Sequence, residues 1–100
     1  MKPVIIDRRA RAELDQAIAW YEKQRSGLGL DFHAEVEKAL ARIEENPAGG
    51  SPYKNTDYRF RLVRRFPFVI YYLELDDSVW VAAIAHASRR PDYWRRRRST

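Results

Sequence analysis

A chain of 100 residues, 45% apolar and 33% charged, reads as one small globular domain that buries only roughly 60–65% of the surface its unfolded form exposes. It contains no cysteine, which excludes disulfide staples, thiol catalysis and thiolate metal sites. The net charge of +5 is not spread along the chain: residues 1–88 hold 13 basic and 13 acidic side chains, whereas residues 89–100 hold six arginines against Asp92 alone.

Val4-Ile5-Ile6 is a short β-prone run that ends at Asp7, which suits a helix N-cap. Ala10, Leu14, Ala17, Ile18 and Tyr21 then recur at helical spacing, with Arg11, Glu13, Asp15 and Glu22 mostly on the other side. Ser26-Gly27-Leu28-Gly29 interrupts this first helix, and Asp31 can cap a second whose apolar face is Phe32, Val36, Ala39, Leu40 and Ile43. The short connection predicts an antiparallel helical hairpin. Asn46-Pro47-Ala48-Gly49-Gly50-Ser51-Pro52 is a dense turn signal that ends it.

Beyond this turn, with Tyr53 to Asp57 as a loop, the period changes to alternation. Tyr58, Phe60 and Leu62 point one way and Arg59 and Arg61 the other, which predicts a half-exposed strand with an arginine-bearing face. Residues 68–73 form a second strand, Asp76-Asp77-Ser78 a turn, and residues 79–85 a third strand. The near-continuous apolar character of the last two places them centrally in the sheet or covers both their faces. The expected fold is α+β: a helical hairpin packed on a small antiparallel sheet in the order β-α-α-β-β-β, one domain over residues 1–100 with a basic tail at 89–100. The longest apolar run is far short of the roughly 20 residues of a membrane span, and the first residues carry too short an apolar stretch for a signal peptide. A cytoplasmic protein without membrane association is expected.

The side chains with chemical potential gather in the second half of the chain. Lys54, Arg59, Arg65, Arg90, Tyr93, Trp94 and Arg95, with Arg64 and the arginines that follow, form the mixture of cations and aromatics that suits a nucleic-acid backbone or another polyanionic target. A solvated run that only aids solubility is the alternative reading of the basic tail. His86 follows the third strand, three residues before Arg89, where an imidazole suits proton transfer at a phosphodiester. Arg61 and Arg89 suit stabilisation of the developing charge. A histidine that merely ties the strand end to a carbonyl is the alternative. Trp94 and Tyr93 suit either base stacking or anchoring of the tail, with the anchor preferred for Trp94. Trp20 is expected in the core or against a partner, and Trp80 buried in the sheet. His33 and His86 share no metal-ligand spacing. A Gly-rich phosphate loop, a Ser/His/Asp order and a strand-end acidic pair are all missing, which leaves kinase, dehydrogenase and protease readings without support. No cofactor is implied.

Taken in order, several pieces resemble the RelE/ParE toxin superfamily, the plasmid stabilisation proteins. They are Ala12-Glu13-Leu14-Asp15 with Tyr21, then Gly29 and Phe32, Asn46-Pro47, Tyr58-Arg59-Phe60-Arg61, Phe66-Pro67-Phe68-Val69-Ile70-Tyr71-Tyr72, and finally His86, Arg89-Arg90-Pro91 and Trp94-Arg95. The resemblance covers nearly the whole chain. It implies a toxin of a type II toxin–antitoxin system, neutralised by a cognate antitoxin that wraps an extended or helical segment around it, with operator DNA reached only through that complex. RelE-like members cut mRNA on the ribosome without a metal, using arginine and lysine on the phosphate and a Tyr, His or Glu as acid or base. ParE-like members inhibit DNA gyrase. Arg61 matches the family's strand arginine, and His86 and Arg89 match positions near the sheet end where ribonuclease members carry catalytic groups. The lysine-rich set of RelE is missing, with Lys54 alone in this half of the chain, so ParE-like action on gyrase is the expectation. RelE-like mRNA cleavage, and an inactive homologue that acts only as an antitoxin-binding co-repressor, are the alternatives.

Overall fold

Strand β1, Val4–Ile6, opens a computed structural model that describes residues 1–99. Asp7 ends the strand and caps helix α1, Arg8–Gln24: its carboxylate accepts the Arg9 amide at 2.9 Å, a contact worth about 1 kcal/mol at a helix start. The buried stripe of α1 is Ala10, Leu14 and Ala17, as the spacing predicts. Helix α2, Leu28–Glu45, buries Phe32, Val36, Ala39, Leu40 and Ile43.

The junction between the helices differs from expectation. Asp31 lies inside the first turn of α2 and the cap position is Gly27. The carboxylate that serves the new helix comes from the old one: Glu22 accepts the amides of Gly27 and Gly29 at 2.9 and 3.0 Å. Gly27 turns the chain at φ +90°, a left-handed conformation that a side chain disfavours. At Gly29 a Cβ would lie 2.6 Å from the Ile18 carbonyl oxygen, so the close crossing of the two helices depends on its absence.

A single turn of 3-10 helix, Pro47–Gly49, leads to β2 (Ser51–Pro52), β3 (Arg59–Leu62), β4 (Phe68–Glu74) and β5 (Val79–His86). The sheet order is β1-β5-β4-β3-β2. The meander from β2 to β5 is antiparallel, as predicted. β1, however, pairs parallel with β5, with Val4 opposite Val79, so the sheet is mixed. The connection from β1 to β5 runs through both helices and strands β2 to β4, long enough to bring the two strands side by side in the same direction, which a tight hairpin cannot do. β4 and β5 are flanked on both sides, in keeping with their apolar sequence.

Both faces of the sheet are covered, by different means. The two helices pack over Ile70, Tyr72, Val79, Val81 and Ile84. On the opposite face the C-terminal segment folds back, and Trp94 sits over Ala82, Ala83 and Ala85 among Tyr53, Tyr58 and Tyr71. The register slips between Tyr71, opposite Ala83, and Tyr72, opposite Val81. Ala82 is therefore an extra residue in β5, and the bulge turns two consecutive alanines toward the tryptophan. Trp80 is partly buried at the margin of this cluster. No helix among the described residues is long and apolar enough to cross a membrane.

The alternation predicted for β3 holds, but the exposed face is not the arginine face. Arg61 lies opposite Ile70 and Arg59 opposite Tyr72, so both arginines share the side of the sheet that carries the helices. Phe60, opposite Tyr71, faces the tail instead.

Candidate functional site

Two neighbouring features are built around the end of β5: a hydrogen-bonded cluster that fastens the tail, and an open groove beside it. The cluster centres on Glu13, whose carboxylate leaves α1 toward the sheet with its side chain 13% exposed. It accepts the amide of Ile84 at 3.0 Å, which lies beyond the end of the paired β1. It also accepts the Tyr93 hydroxyl in a short hydrogen bond and both Nη atoms of Arg97, at 3.1 and 3.0 Å. Arg97 Nη1 donates as well to the carbonyl of the bulge residue Ala82, at 2.9 Å. An almost buried carboxylate is thus met by a cation and by neutral donors, as burial of charge requires. Burial, and next the Glu13 carboxylate, push the Tyr93 phenol well above its ordinary value.

Further contacts hold the same segment. Trp94 is 1% exposed and stacks on Tyr71 with ring centroids 4.5 Å apart at 24°. Asp92, at φ +66°, accepts the Tyr53 hydroxyl at 2.5 Å and Lys54 Nζ at 3.0 Å. Those two donors hold its carboxyl below the usual range. On the far side Arg9, itself paired with Asp7 at 3.0 Å, donates to the Arg97 carbonyl at 2.8 Å. The basic tail is a folded part of the domain.

The groove has a volume of about 520 Å³ and runs between α1 and the ends of β4 and β5. Ala17, Trp20, Tyr21, Pro67, Phe68 and Ile84 give it apolar walls, and Glu13, Gln16 and the exposed His86 and Arg89 line it as well. Trp20 stands 58% exposed along one wall, in edge contact with Tyr21. Burial raises the Tyr21 phenol above its ordinary value. The His86 ring meets Phe68 at 5.3 Å, and its Nδ1 accepts the Ser88 amide at 3.0 Å. That hydrogen bond assigns the proton of the neutral ring to Nε2.

The residues singled out from sequence fall into separate places. His86 and Arg89 come together, and Arg89 lies 4.0 Å above the Tyr93 ring. Arg61 does not join them: it lies on β3, with β4 between it and β5, and its neighbour Ile70 pairs with Ile84, whereas His86 pairs with Phe68, two positions further along. Its guanidinium lies by Gly49, with Nε buried and without a hydrogen-bond partner among the described residues. Arg59 is also half-buried and donates to the Gly50 carbonyl at 2.8 Å. Arg65 sits near the start of α2, 3.8 Å from Asp31. Lys54, Arg90 and Arg95 are exposed around the tail, where Lys54 and Arg95 flank Asp92. Trp94, among the candidates for target contact, is the anchor and is unavailable for stacking. Tyr93 is tied to Glu13. His33 contacts Glu37 at 3.2 Å on the exposed side of α2.

Glu13, Asp92 and Arg97 are the organising residues that sequence reasoning passed over. For Glu13 a signal existed. It stands three residues after Ala10 and four before Ala17, so it lies beside the buried stripe although its charge suggests the opposite face.

A two-helix hairpin on a five-stranded mixed sheet, with a clamped basic tail and a groove beside it, makes the chain a small α+β protein. The family described as the ParE toxin of the type II toxin-antitoxin system parDE matches residues 4–91. Toxin ParE1 of Caulobacter vibrioides is 34% identical over 74 residues, which span 72% of this chain and 76% of that protein. A solved structure of the chromosomal ParDE toxin–antitoxin system from P. aeruginosa matches with a TM-score of 0.78 at 18% identity, over 88% of this chain and 98% of that one. The chain belongs to the ParE toxin family of type II toxin–antitoxin systems. The family match ends at Pro91, so Tyr93, Trp94 and Arg97 lie beyond it.

Proposed function

We propose that this protein inhibits growth by acting on DNA gyrase and that a cognate antitoxin neutralises it by laying an amphipathic segment into the groove beside α1. The observation that carries the choice of target is the dispersal of the candidate ribonuclease set. Arg61 is held beneath the helices, two strands from His86 and Arg89. Stabilising a phosphodiester transition state needs donors converging on one point about 3 Å away, and these three do not converge. Membership of the ParE branch points the same way.

The antitoxin site follows from the groove's chemistry. An exposed tryptophan among apolar walls, with a cation at the rim, suits apolar anchors spaced along a helix or strand and an acidic residue near His86 and Arg89. Such a peptide lacks a core of its own and orders on binding.

The test is induced expression without antitoxin, with protein and DNA synthesis followed by pulse labelling, and purified toxin assayed against gyrase supercoiling. Early loss of DNA synthesis with inhibited supercoiling is expected. Early loss of translation with gyrase unaffected would replace this reading by mRNA cleavage, and no growth defect would replace it by the co-repressor.

A further inference from the structure

The tail's turns sort its side chains. Arg95 N donates to the Asp92 carbonyl and Arg97 N to the Trp94 carbonyl, at 3.1 and 3.0 Å. This three-residue period directs Trp94 and Arg97 inward together, where they are used by the aromatic cluster and by Glu13. Arg95, Arg96 and Arg98 are left on the outside. Three adjoining surface depressions then share these arginines in series. The first is lined by Arg8 and Arg98, the second by Arg98 and Arg95, the third by Arg95, Arg96 and Arg90. The result is one continuous cationic path from the start of α1 across the tail to the end of β5. The carboxylates along it are Asp7, paired with Arg9, Asp92, which receives Tyr53 and Lys54 and lies 3.8 Å from Arg95, and Asp57. Among the described residues Arg8, Arg90 and Arg98 enter no ion pair.

We propose that this path of Arg8, Arg98, Arg95 and Arg90 binds the phosphate backbone of duplex DNA directly, without reading its sequence. A row of guanidinium groups fits phosphates rather than base edges. Single-strand binding needs exposed aromatic platforms, and the nearby Trp94 is buried beneath the tail with Tyr71 stacked on it. The preference for DNA over RNA rests on the gyrase reading, since gyrase works on duplex DNA; duplex binding itself rests on the path alone. The toxin would then hold the DNA segment that its target handles.

The experiment is fluorescence anisotropy of the full chain, without gyrase, on a labelled 24-base-pair DNA duplex of mixed sequence over a range of salt. Four phosphate contacts give a log–log salt slope of about −3.6 and a roughly 100-fold loss of affinity between 50 and 200 mM. R95Q with R98Q together should reduce the slope by about 2, and R8Q, outside the tail, by about 1. Trp fluorescence of each variant reports whether the tail stays docked, and R8Q tests the path even where the tail variants loosen it. A slope near zero, or one that R8Q leaves unchanged, overturns the proposal. So does tighter binding of a single strand of equal length, or of a polyglutamate peptide of equal charge, which would make the path an acidic-protein site. Tighter binding of the matching RNA duplex overturns the choice of DNA while leaving gyrase inhibition to be judged by its own assay.

Discussion

The Glu13 carboxylate and the Arg97 guanidinium, 84 positions apart in sequence, pair through two contacts of 3.1 and 3.0 Å. The pair joins the first helix to the 3-10 turn at Arg97–Ser99 across the edge of β5 and shares its carboxylate with Ile84 and Tyr93. Glu13→Ala leaves the Ile84 amide and the Tyr93 hydroxyl without this acceptor and takes the Glu13 counter-charge from a nearly buried guanidinium that keeps the Ala82 carbonyl. The expected loss is about 1.5–3 kcal/mol, the range for hydrogen bonds to a charged group. Glu13→Gln keeps one oxygen and should lose less. Urea unfolding of the three proteins measures both effects, and a Glu13→Ala midpoint equal to wild type would show that the cluster contributes nothing net.

Trp94 should decide whether the tail is part of the domain. Removing a buried tryptophan costs about 3–5 kcal/mol, against a total of about 5–15 kcal/mol for a domain of this class. The cheaper response is for the tail to detach while the helices and sheet persist. Trp94→Ala is therefore expected to make the chain cleavable by trypsin at Arg95 and Arg96 under conditions where wild type resists, with the far-ultraviolet circular dichroism little changed. Equal resistance in both proteins would mean that Glu13, Asp92 and Arg9 suffice to hold the tail.

Most of the architecture was legible because helix and strand periods are local. The stripes of α1 and α2 and the meander followed from spacing alone, whereas for Trp94 the sequence offered both stacking and anchoring, and burial decided for the anchor. What escaped was decided by tertiary partners. The parallel pairing of β1 is a property of chain return, and the cap of α2 came from Glu22 on the preceding helix. Alternation told Arg59 and Arg61 apart from Phe60 but not which face would be covered. Charge suggested that the arginines lay outside, yet a folded tail covers the aromatic side and the helices overhang the arginines. Of the candidate site, the pairing of His86 with Arg89 was readable from three-residue proximity. The membership of Arg61 was a question of register that spacing does not settle.

Alkaline titration should be unusually sharp. All six tyrosines, Tyr21, Tyr53, Tyr58, Tyr71, Tyr72 and Tyr93, have phenols raised above the ordinary value of 10.0, burial being the first cause in each. A raised folded-state value means that folding favours the protonated phenol. That stability is fully present below about pH 10 and is lost as the pH climbs through the folded-state values. Phenolate absorbance near 295 nm should stay low past pH 10 and then rise together with loss of near-ultraviolet circular dichroism. Tyr93→Phe removes the most raised group and should also weaken the hold on the tail. Gradual ionisation centred near pH 10, with the fold intact, would contradict this burial pattern.

Trp20 and His86 separate antitoxin recognition from toxicity. Trp20 is 58% exposed, so Trp20→Ala should alter stability by no more than about 0.5 kcal/mol. A tryptophan that anchors a partner contributes about 2 kcal/mol or more, or roughly 30-fold in affinity. The expected result is a toxin that still inhibits growth but dissociates from its antitoxin at concentrations where wild type remains bound, so that co-expressed antitoxin no longer fully protects. His86→Ala, at the groove rim with its Nδ1 taken by Ser88, should likewise leave growth inhibition intact, because action on gyrase asks no proton transfer of it. Calorimetry with the purified antitoxin and plating of induced cells give the two readouts independently. If Trp20→Ala binds antitoxin as tightly as wild type, the antitoxin lies elsewhere, with the exposed edge of β3 at Leu62 the next surface to test. If His86→Ala abolishes toxicity while folding and antitoxin binding persist, the imidazole takes part in chemistry and the ribonuclease reading returns despite the distance of Arg61.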